Sequence, residues 1–210
     1  MKGHFISFEG PDGAGKTTIL NAMVDFFAPK LKNQLVVTRE PGGNKISEAI
    51  RNIILDKNNT EMDARTEALL YAAARRQHLV ETILPALAAN KAVFCDRYVD
   101  SSVAYQGAGR EIGTKKVYDM NLFATEGILP EKTIYLDIKP ELGLKRIMKH
   151  RTNDIDRLDL EKLDFHKKVR MAYLDLAQKF PDRIEIIDAS QDLNTVKSDT
   201  LNILKKIIGE

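Results

Sequence analysis

The feature that most constrains the fold is a glycine-rich segment near the start of the chain. Residues 10–17 read Gly-Pro-Asp-Gly-Ala-Gly-Lys-Thr, which is a glycine, four residues and then Gly-Lys-Thr. An apolar run precedes the segment and a stretch of helical periodicity follows it, in the order of a nucleoside triphosphate loop. Such a loop turns backbone N–H groups towards phosphates, and the following helix adds its positive N-terminus. The segment therefore predicts nucleoside triphosphate binding, and an ordinary glycine-rich turn is the alternative.

Within this segment each residue type has a physical role. Lys16 places a positive charge at the β and γ oxygens of the triphosphate, and the hydroxyl of Thr17 can ligate Mg²⁺. The predicted loop consists of Gly10, Pro11, Asp12, Gly13, Ala14, Gly15, Lys16 and Thr17. We therefore predict Mg²⁺ as the cofactor.

Five short runs rich in β-branched or aromatic residues alternate with longer segments of helical periodicity. The runs lie at residues 5–8, 35–38, 92–95, 133–136 and 184–187. Several of them are apolar at consecutive positions, which indicates burial on both faces of a parallel sheet. The sequence therefore predicts a doubly wound α/β fold.

The helical segments have readable ends. Asp63 can cap a helix that runs to Leu87 with a possible kink at Pro85, and further helices are predicted at 159–180 and 193–208. A polar, charge-dense stretch at 149–159 suits a mobile lid.

With 43% hydrophobic residues the chain can close a core, and we predict a single domain over residues 1–210.

Composition excludes several classes of protein. The 32 Lys and Arg residues nearly balance 30 Asp and Glu residues, so no general basic field indicates nucleic acid as a partner. Cys95 is the single cysteine, and His4, His78, His150 and His166 share no metal-ligand spacing. A reduced, cytoplasmic setting is predicted, and no apolar stretch is long enough to predict a membrane partner.

Arginines and an aromatic residue converge on a second predicted anion site. Asp96-Arg97-Tyr98 follows a predicted strand, and ligands of parallel α/β sheets sit at such strand ends. The second strand ends near Arg39, and the next helix carries Arg51. The long helix adds Tyr71, Arg75 and Arg76. Solvated helix-face charges are the alternative for any one of these arginines.

Other nucleotide-binding classes lack their own motifs here. A GTPase would carry an Asn-Lys-x-Asp segment after a strand and an Asp-x-x-Gly switch. Asn90-Lys91 lacks the Asp, and the only Asp-x-x-Gly lies within the phosphate loop itself. No strand ends in the acidic pair of a helicase-type ATPase.

An ordered set of motifs along the whole chain resembles the bacterial type of the thymidylate kinase family. The set comprises residues 8–18, Thr38-Arg39-Glu40-Pro41-Gly42-Gly43, Tyr71-Ala72-Ala73-Ala74-Arg75, Asp96-Arg97-Tyr98 through Tyr105-Gln106-Gly107, and Asp156-Arg157. The phosphate loop is shared by many nucleotide kinases, and the Asp-Arg-Tyr to Tyr-Gln-Gly run is far more specific. The resemblance implies a P-loop nucleoside-monophosphate-kinase fold with a five-stranded parallel sheet flanked by helices.

The resemblance also implies roles for single residues. ATP would bind the phosphate loop, extended by Thr18. Asp12 would accept the sugar 3′-hydroxyl of dTMP, Arg51 and Arg97 would hold its phosphate, and Tyr71 would stack on thymine. The base edge would meet Arg75 and Ser102, and Tyr105 would crowd out a ribose hydroxyl. The implied substrate-binding residues are Asp12, Arg51, Tyr71, Arg75, Arg97, Ser102, Tyr105 and Gln106.

The implied reaction is phosphorylation of dTMP to dTDP by ATP and Mg²⁺, a step that supplies dTTP for DNA synthesis. Its implied catalytic residues are Lys16, Arg97, Arg151 and Arg157, the last two in the lid. A homodimer is implied as well. Two alternatives stay open: a kinase for another small phosphate acceptor, and a regulatory or assembly protein that binds ATP as a ligand.

Overall fold

The computed structural model describes residues 3–150 and 161–209. Within these ranges five strands form one parallel sheet, in the order β2-β3-β1-β4-β5. The strands are β1 (His4–Glu9), β2 (Leu35–Arg39), β3 (Ala92–Asp96), β4 (Lys132–Asp137) and β5 (Ile184–Asp188). Each of them contains the run predicted for it, so the predicted α/β class with a five-stranded parallel sheet is confirmed.

Helices connect successive strands. They are α1 (Lys16–Leu31), α2 (Lys45–Leu55), α3 (Ala64–His78), α4 (Leu84–Ala88), α5 (Val99–Ser102), α6 (Thr114–Thr125), α7 (Pro140–His150), α8 (Leu163–Lys179) and α9 (Leu193–Ile208). A 3₁₀ turn lies at Lys32–Gln34, and π-helical segments lie at Leu79–Ile83 and Val103–Gly109.

The capping residue predicted for α3 is confirmed. The side chain of Asp63 accepts hydrogen bonds from the backbone N–H groups of Arg65 and Thr66, and Asp192 caps α9 in the same way. The segment predicted as one helix from Asp63 to Leu87, with a possible kink at Pro85, is helical without a break. A π-helical segment that ends two residues before Pro85 separates α3 from α4, because proline has no N–H to donate and its ring clashes with the preceding turn.

Apolar side chains cover both faces of the sheet. Alternate residues of a strand point to opposite faces, so Val93 and Cys95 pack on one side of β3 and Phe94 on the other. The first face is covered mainly by α8 and the helices that precede and follow β3, and the second by α1 and α9. The two-sided burial that the apolar runs predict is confirmed.

The carboxyl ends of the five parallel strands meet at one edge of the sheet. There β1 leads into the phosphate loop, which packs against the start of α7. A Cβ atom at Gly13 would lie 2.2 Å from the carbonyl oxygen of Gly143, and Gly13 has a positive φ of 78°. Only glycine fits this approach without strain. The fold thus brings the loop and the strand ends together at one edge.

Candidate active site

Among the described residues, two clefts open at the carboxyl edge of the sheet and share Lys16 and Thr17. One has a volume of about 300 Å³ and lies on the β2–β3 side; we call it the acceptor cleft. The other has a volume of about 580 Å³ and runs between the phosphate loop, α7 and the loop after β5; we call it the donor cleft. Two ligands in these clefts would therefore meet at the lysine of the phosphate loop.

Lys16 is buried where the two clefts join. Its Nζ donates to the carbonyl oxygens of Gly10 at 2.9 Å and Pro11 at 3.3 Å, and lies 3.8 Å from Oδ1 of Asp12. Burial lowers the pKa of Lys16, and the charge of Arg97 lowers it further, while nearby carboxylates oppose the shift. An anionic phosphate at this point would offset the cost of desolvating the ammonium group.

Arg97 points from the end of β3 to the phosphate loop. Its Nη2 donates to Oδ1 of Asp12 at 2.6 Å, and its Nη1 donates to the carbonyl of Gly10 at 3.2 Å and to Oγ of Ser101 at 3.1 Å. The hydroxyl of Tyr105 donates to the other oxygen of Asp12 at 2.7 Å. A phosphate entering the acceptor cleft would compete with Asp12 for this guanidinium.

The side chain of Glu9 stabilises the turn that carries Arg97. The carboxylate is fully buried at the end of β1 and accepts from the backbone N–H of Tyr98 at 2.6 Å, from Ser101 at 2.6 Å and from Tyr173 at 2.8 Å. Burial raises the pKa of Glu9 to about 7, and the charge of Asp100 adds to the rise. Glu9 thus ties the turn that carries Arg97 to the first strand.

The structure brings together all eight residues implied for substrate binding. Each of them lines the acceptor cleft. Arg75 is 2% exposed and pairs with Glu40 at 2.6 Å, while Arg51 donates to the carbonyl of Pro41 at 2.9 Å. Gln106 is held by Glu67, whose carboxylate accepts from its amide at 2.8 Å.

Arg76 does not join the other arginines of the predicted anion site. Its side chain is 42% exposed and pairs with Glu126 at 2.8 Å, and Arg76 is not among the residues that line the acceptor cleft. The reason is the helical period, since consecutive residues of α3 point about 100° apart and Arg75 takes the inward position.

The comparisons with known proteins agree with one another. The family model described as thymidylate kinase matches residues 8–200. A thymidylate kinase from Pediococcus pentosaceus is 76% identical over the full length of both chains, and one from Latilactobacillus sakei is 63% identical over 97% of this chain and 95% of its own. The chain belongs to the thymidylate kinase family.

A solved structure agrees with this assignment. The crystal structure of thymidylate kinase from Ehrlichia chaffeensis superposes with a TM-score of 0.79 at 30% identity, and the match covers 98% of this chain and 99% of that one. The family resemblance stated from the motifs is therefore confirmed, together with the P-loop kinase fold.

The predicted ATP-binding residues divide between the clefts. Gly13, Ala14, Gly15, Lys16, Thr17 and Thr18 line the donor cleft. Asp12 faces the acceptor cleft, while Gly10 and Pro11 present their carbonyl groups to Lys16. The binding role of each residue stays a prediction.

Sequence reasoning missed the far wall of the donor cleft. Arg146 of α7 lines this wall and donates to the carbonyl of Ala189 at 3.0 Å, and Gln191 lies beside it. The only available signal was position, because the loop after β5 must reach the same edge of the sheet as the phosphate loop. This wall therefore adds a cation and an amide to the lining of the donor cleft.

Asp96 is a further missed residue, and it bears on the metal. Its Oδ1 is buried and has no hydrogen-bond partner within the described part of the chain. Asp96 and Thr17 both line the acceptor cleft. Mg²⁺ prefers oxygen ligands and carries bound water, so an unsatisfied carboxylate oxygen in the same cleft as a threonine hydroxyl fits that ion. The signal in the sequence was an acidic residue directly after an apolar strand.

Two of the predicted catalytic residues cannot be compared with the structure. Arg151 and Arg157 fall outside the described residues, as does most of the predicted lid at 149–159. Their catalytic role stays a prediction from the sequence.

None of the described helices combines the length and the apolar character that a membrane span needs.

Proposed function

We propose that the chain transfers the γ-phosphoryl group of ATP to the 5′-phosphate of dTMP, giving dTDP and ADP. The observation that carries this proposal is the pair of clefts that meet at Lys16 and Thr17. A nucleotide in each cleft would place its phosphate chain at the phosphate loop. Membership of the thymidylate kinase family supports the choice of dTMP as acceptor.

The reaction requires no general base from the protein. The second pKa of a phosphate monoester is about 6, so the acceptor oxygen is already an anion at neutral pH. The protein must instead bring two polyanions into line and neutralise the charge on the moving group. Lys16 at the join and Arg97 on the acceptor side supply fixed positive charge for this purpose.

The acceptor cleft contains groups suited to a pyrimidine deoxynucleotide. Arg51 and Arg97 would bind the phosphate, and Tyr71 would stack on the base. Arg75 would donate to the base carbonyl at position 4. Tyr105 is buried at the cleft wall with its ring against Phe165, so its bulk would oppose a 2′-hydroxyl.

Mg²⁺ is proposed as the cofactor. Thr17 and Asp96 would hold it, with water completing the shell. When bound, the ion neutralises charge on the β and γ oxygens of the donor.

We also propose a homodimer formed through α2, α3 and α6. Helix α3 packs against both α2 and α6, and these three helices expose Ile46, Ile53, Leu69 and Phe123. Phe123 is 88% exposed, which is unfavourable for an aromatic side chain in water. Light scattering should show a dimer for the unaltered chain and a monomer for Phe123→Glu. A monomeric unaltered chain would refute the dimer.

The cytoplasmic location stays a prediction from the sequence.

The decisive experiment measures ADP release with and without dTMP. A dTMP kinase releases ADP rapidly only when dTMP is present, and product analysis should show dTDP. A faster reaction with another nucleoside monophosphate or with a deoxynucleoside would identify a different kinase. ADP release that no acceptor stimulates would favour the regulatory ATP-binding protein instead.

A further inference from the structure

The guanidinium of Arg75 is surrounded by buried partners. Its Nε donates to Oε2 of Glu40 at 2.6 Å, and its Nη2 donates to the carbonyl of Tyr98 at 3.0 Å. Its Nη1 donates to Oγ of Ser102 at 3.0 Å and to Oδ1 of Asn121. A guanidinium has five N–H groups. Partners in the described part of the chain use four of them, which leaves one N–H on Nη2, and Arg75 lines the acceptor cleft.

Glu40, the charged partner of Arg75, is itself held by a histidine. Oε1 of Glu40 lies 2.9 Å from Nδ1 of His78, and Nε2 of His78 lies 2.7 Å from the hydroxyl oxygen of Thr38. A carboxylate only accepts, so Nδ1 of His78 carries a proton and donates it to Glu40. Nε2 of the same ring is hydrogen-bonded to the hydroxyl of Thr38, and Glu40 accepts a second donor in Arg75.

The backbone closes over this chain of hydrogen bonds. A Cβ atom at Gly43 would lie 2.7 Å from the hydroxyl oxygen of Thr38 and 2.8 Å from Nε2 of His78. His78 is fully buried and Glu40 is 4% exposed. Hydrogen bonds in such a water-excluded setting are stronger, and leaving one unmade is costly. The side chains are thus fixed before any nucleotide binds.

We propose that Glu40 and His78 are positioning residues that fix the guanidinium of Arg75 and thereby set the preference of the acceptor cleft for thymine over cytosine. The inference rests on the proposed function, because it takes dTMP as the acceptor. Glu40 lines the acceptor cleft together with Arg75, whereas His78 is not among its lining residues. Both act through Arg75.

The chemistry of the two bases gives the reason. Thymine carries a carbonyl oxygen at position 4, which accepts a hydrogen bond, whereas cytosine carries an amino group there, which donates one. A hydrogen-bond donor held rigidly opposite position 4 favours thymine and repels cytosine. A guanidinium that can turn away loses this discrimination, even if it still fills the cleft. The expected consequence of loosening Glu40 is therefore a loss of base preference rather than a general loss of activity.

Two variants of similar shape test the role of His78. Leu and Asn have similar side-chain shapes, but the amide nitrogen of Asn can replace Nδ1 as donor to Glu40. We expect His78→Leu to lower the ratio of kcat/KM for dTMP to that for dCMP about tenfold, the effect of losing one charged hydrogen bond. His78→Asn should keep that ratio within about threefold, and KM for ATP should change less than about twofold in both.

Ser47→Ala serves as the matched control. The hydroxyl of Ser47 is buried and donates to the carbonyl of Ala74, the neighbour of Arg75 on α3. Its removal disturbs the same helix without breaking the chain of hydrogen bonds, so the ratio should stay at the unaltered value. A ratio of two kcat/KM values also does not depend on how much of a variant is folded. Thr38→Val provides a second, milder variant that removes the hydrogen bond to Nε2 of His78, and it should lower the ratio in the same direction.

Three results would overturn the positioning role. They are an unchanged ratio in His78→Leu, an equal fall in His78→Leu and His78→Asn, and an unchanged ratio in Arg75→Ala, which would show that the base is read elsewhere. All three leave dTMP kinase activity in the unaltered chain intact. Failure of the proposed function looks different, because the unaltered chain would then show no dTMP-dependent release of ADP.

Discussion

The buried carboxyl group of Glu9 makes stability depend on pH in a calculable way. Burial raises its pKa from 4.5 to about 7, and Asp100 contributes to the rise, while Ser101, Arg97 and Tyr173 oppose it. The folded protein therefore holds this proton more tightly than the unfolded chain does. The stability that the proton supplies is complete below pH 4.5 and is lost as the pH rises through 7.

The size of this effect follows from the pKa difference. One pKa unit corresponds to about 1.4 kcal/mol, so the difference between folded and unfolded chain corresponds to about 3 kcal/mol. Most of the change falls between pH 5 and pH 8, where we expect Glu9 to lower the free energy of unfolding by about 2 to 3 kcal/mol. Gln at this position keeps the size and can still accept from the N–H of Tyr98, but it does not titrate.

Urea unfolding at pH 5 and pH 8 measures the effect. Subtracting the free energy of unfolding of Glu9→Gln from that of the unaltered chain removes the titration that both share. We expect this difference to fall by about 2 to 3 kcal/mol between the two pH values. Glu61→Gln changes an exposed glutamate and should show no such fall. A difference that is the same at both pH values would refute the burial argument for Glu9.

Three further predictions concern the active site. Lys16→Ala should abolish dTMP-dependent ADP release while leaving the circular dichroism spectrum unchanged, since Lys16 supports phosphate charge rather than the core; wild-type turnover in the folded variant would contradict its role. Asp96→Asn should raise the Mg²⁺ concentration needed for half-maximal activity about tenfold or more, and an unchanged Mg²⁺ titration would exclude Asp96 as a ligand. Tyr105→Ala should lower the ratio of kcat/KM for dUMP to that for UMP. Tyr105→Phe keeps the ring and should preserve that ratio. Equal ratios in the unaltered chain and Tyr105→Ala would contradict the steric argument.

Local patterns were enough to predict the sheet and the ends of some helices. Apolar runs located every strand to within one or two residues at each end, and the run at residues 193–208 has the same limits as α9. Strong end signals explain this accuracy, because Asp192 caps the start of α9 and Gly209 adopts a left-handed conformation at its end. The π-helical segments were not predicted, because the apolar pattern does not distinguish them from an α-helix.

The chemistry of the acceptor cleft was predicted only for residues that lie in motifs. Arg75 and Arg97 belong to recognisable motifs, whereas the partners that fix them come from distant parts of the chain. His78 illustrates this limit, because a single histidine on a helix gives no sign that it will meet Glu40, which lies 38 residues earlier. Spacing along the sequence could not show a hydrogen-bonding partner that only the tertiary fold supplies.

Strand β1 stabilises the backbone conformation of Arg97 and also positions the phosphate loop. Arg97 has a φ of 70°, a left-handed conformation that costs a residue other than glycine about 1 to 2 kcal/mol. Two hydrogen bonds from β1 can offset that cost at about 1 kcal/mol each: the N–H of Arg97 donates to the carbonyl of Phe8 at 2.9 Å, and the N–H of Tyr98 donates to Glu9 at 2.6 Å. The strand that holds the acceptor-side arginine in this conformation also leads directly into the phosphate loop. Strand β1 therefore fixes the distance between Arg97 on the acceptor side and Lys16 in the phosphate loop. In-line transfer between two bound phosphates requires such a fixed distance.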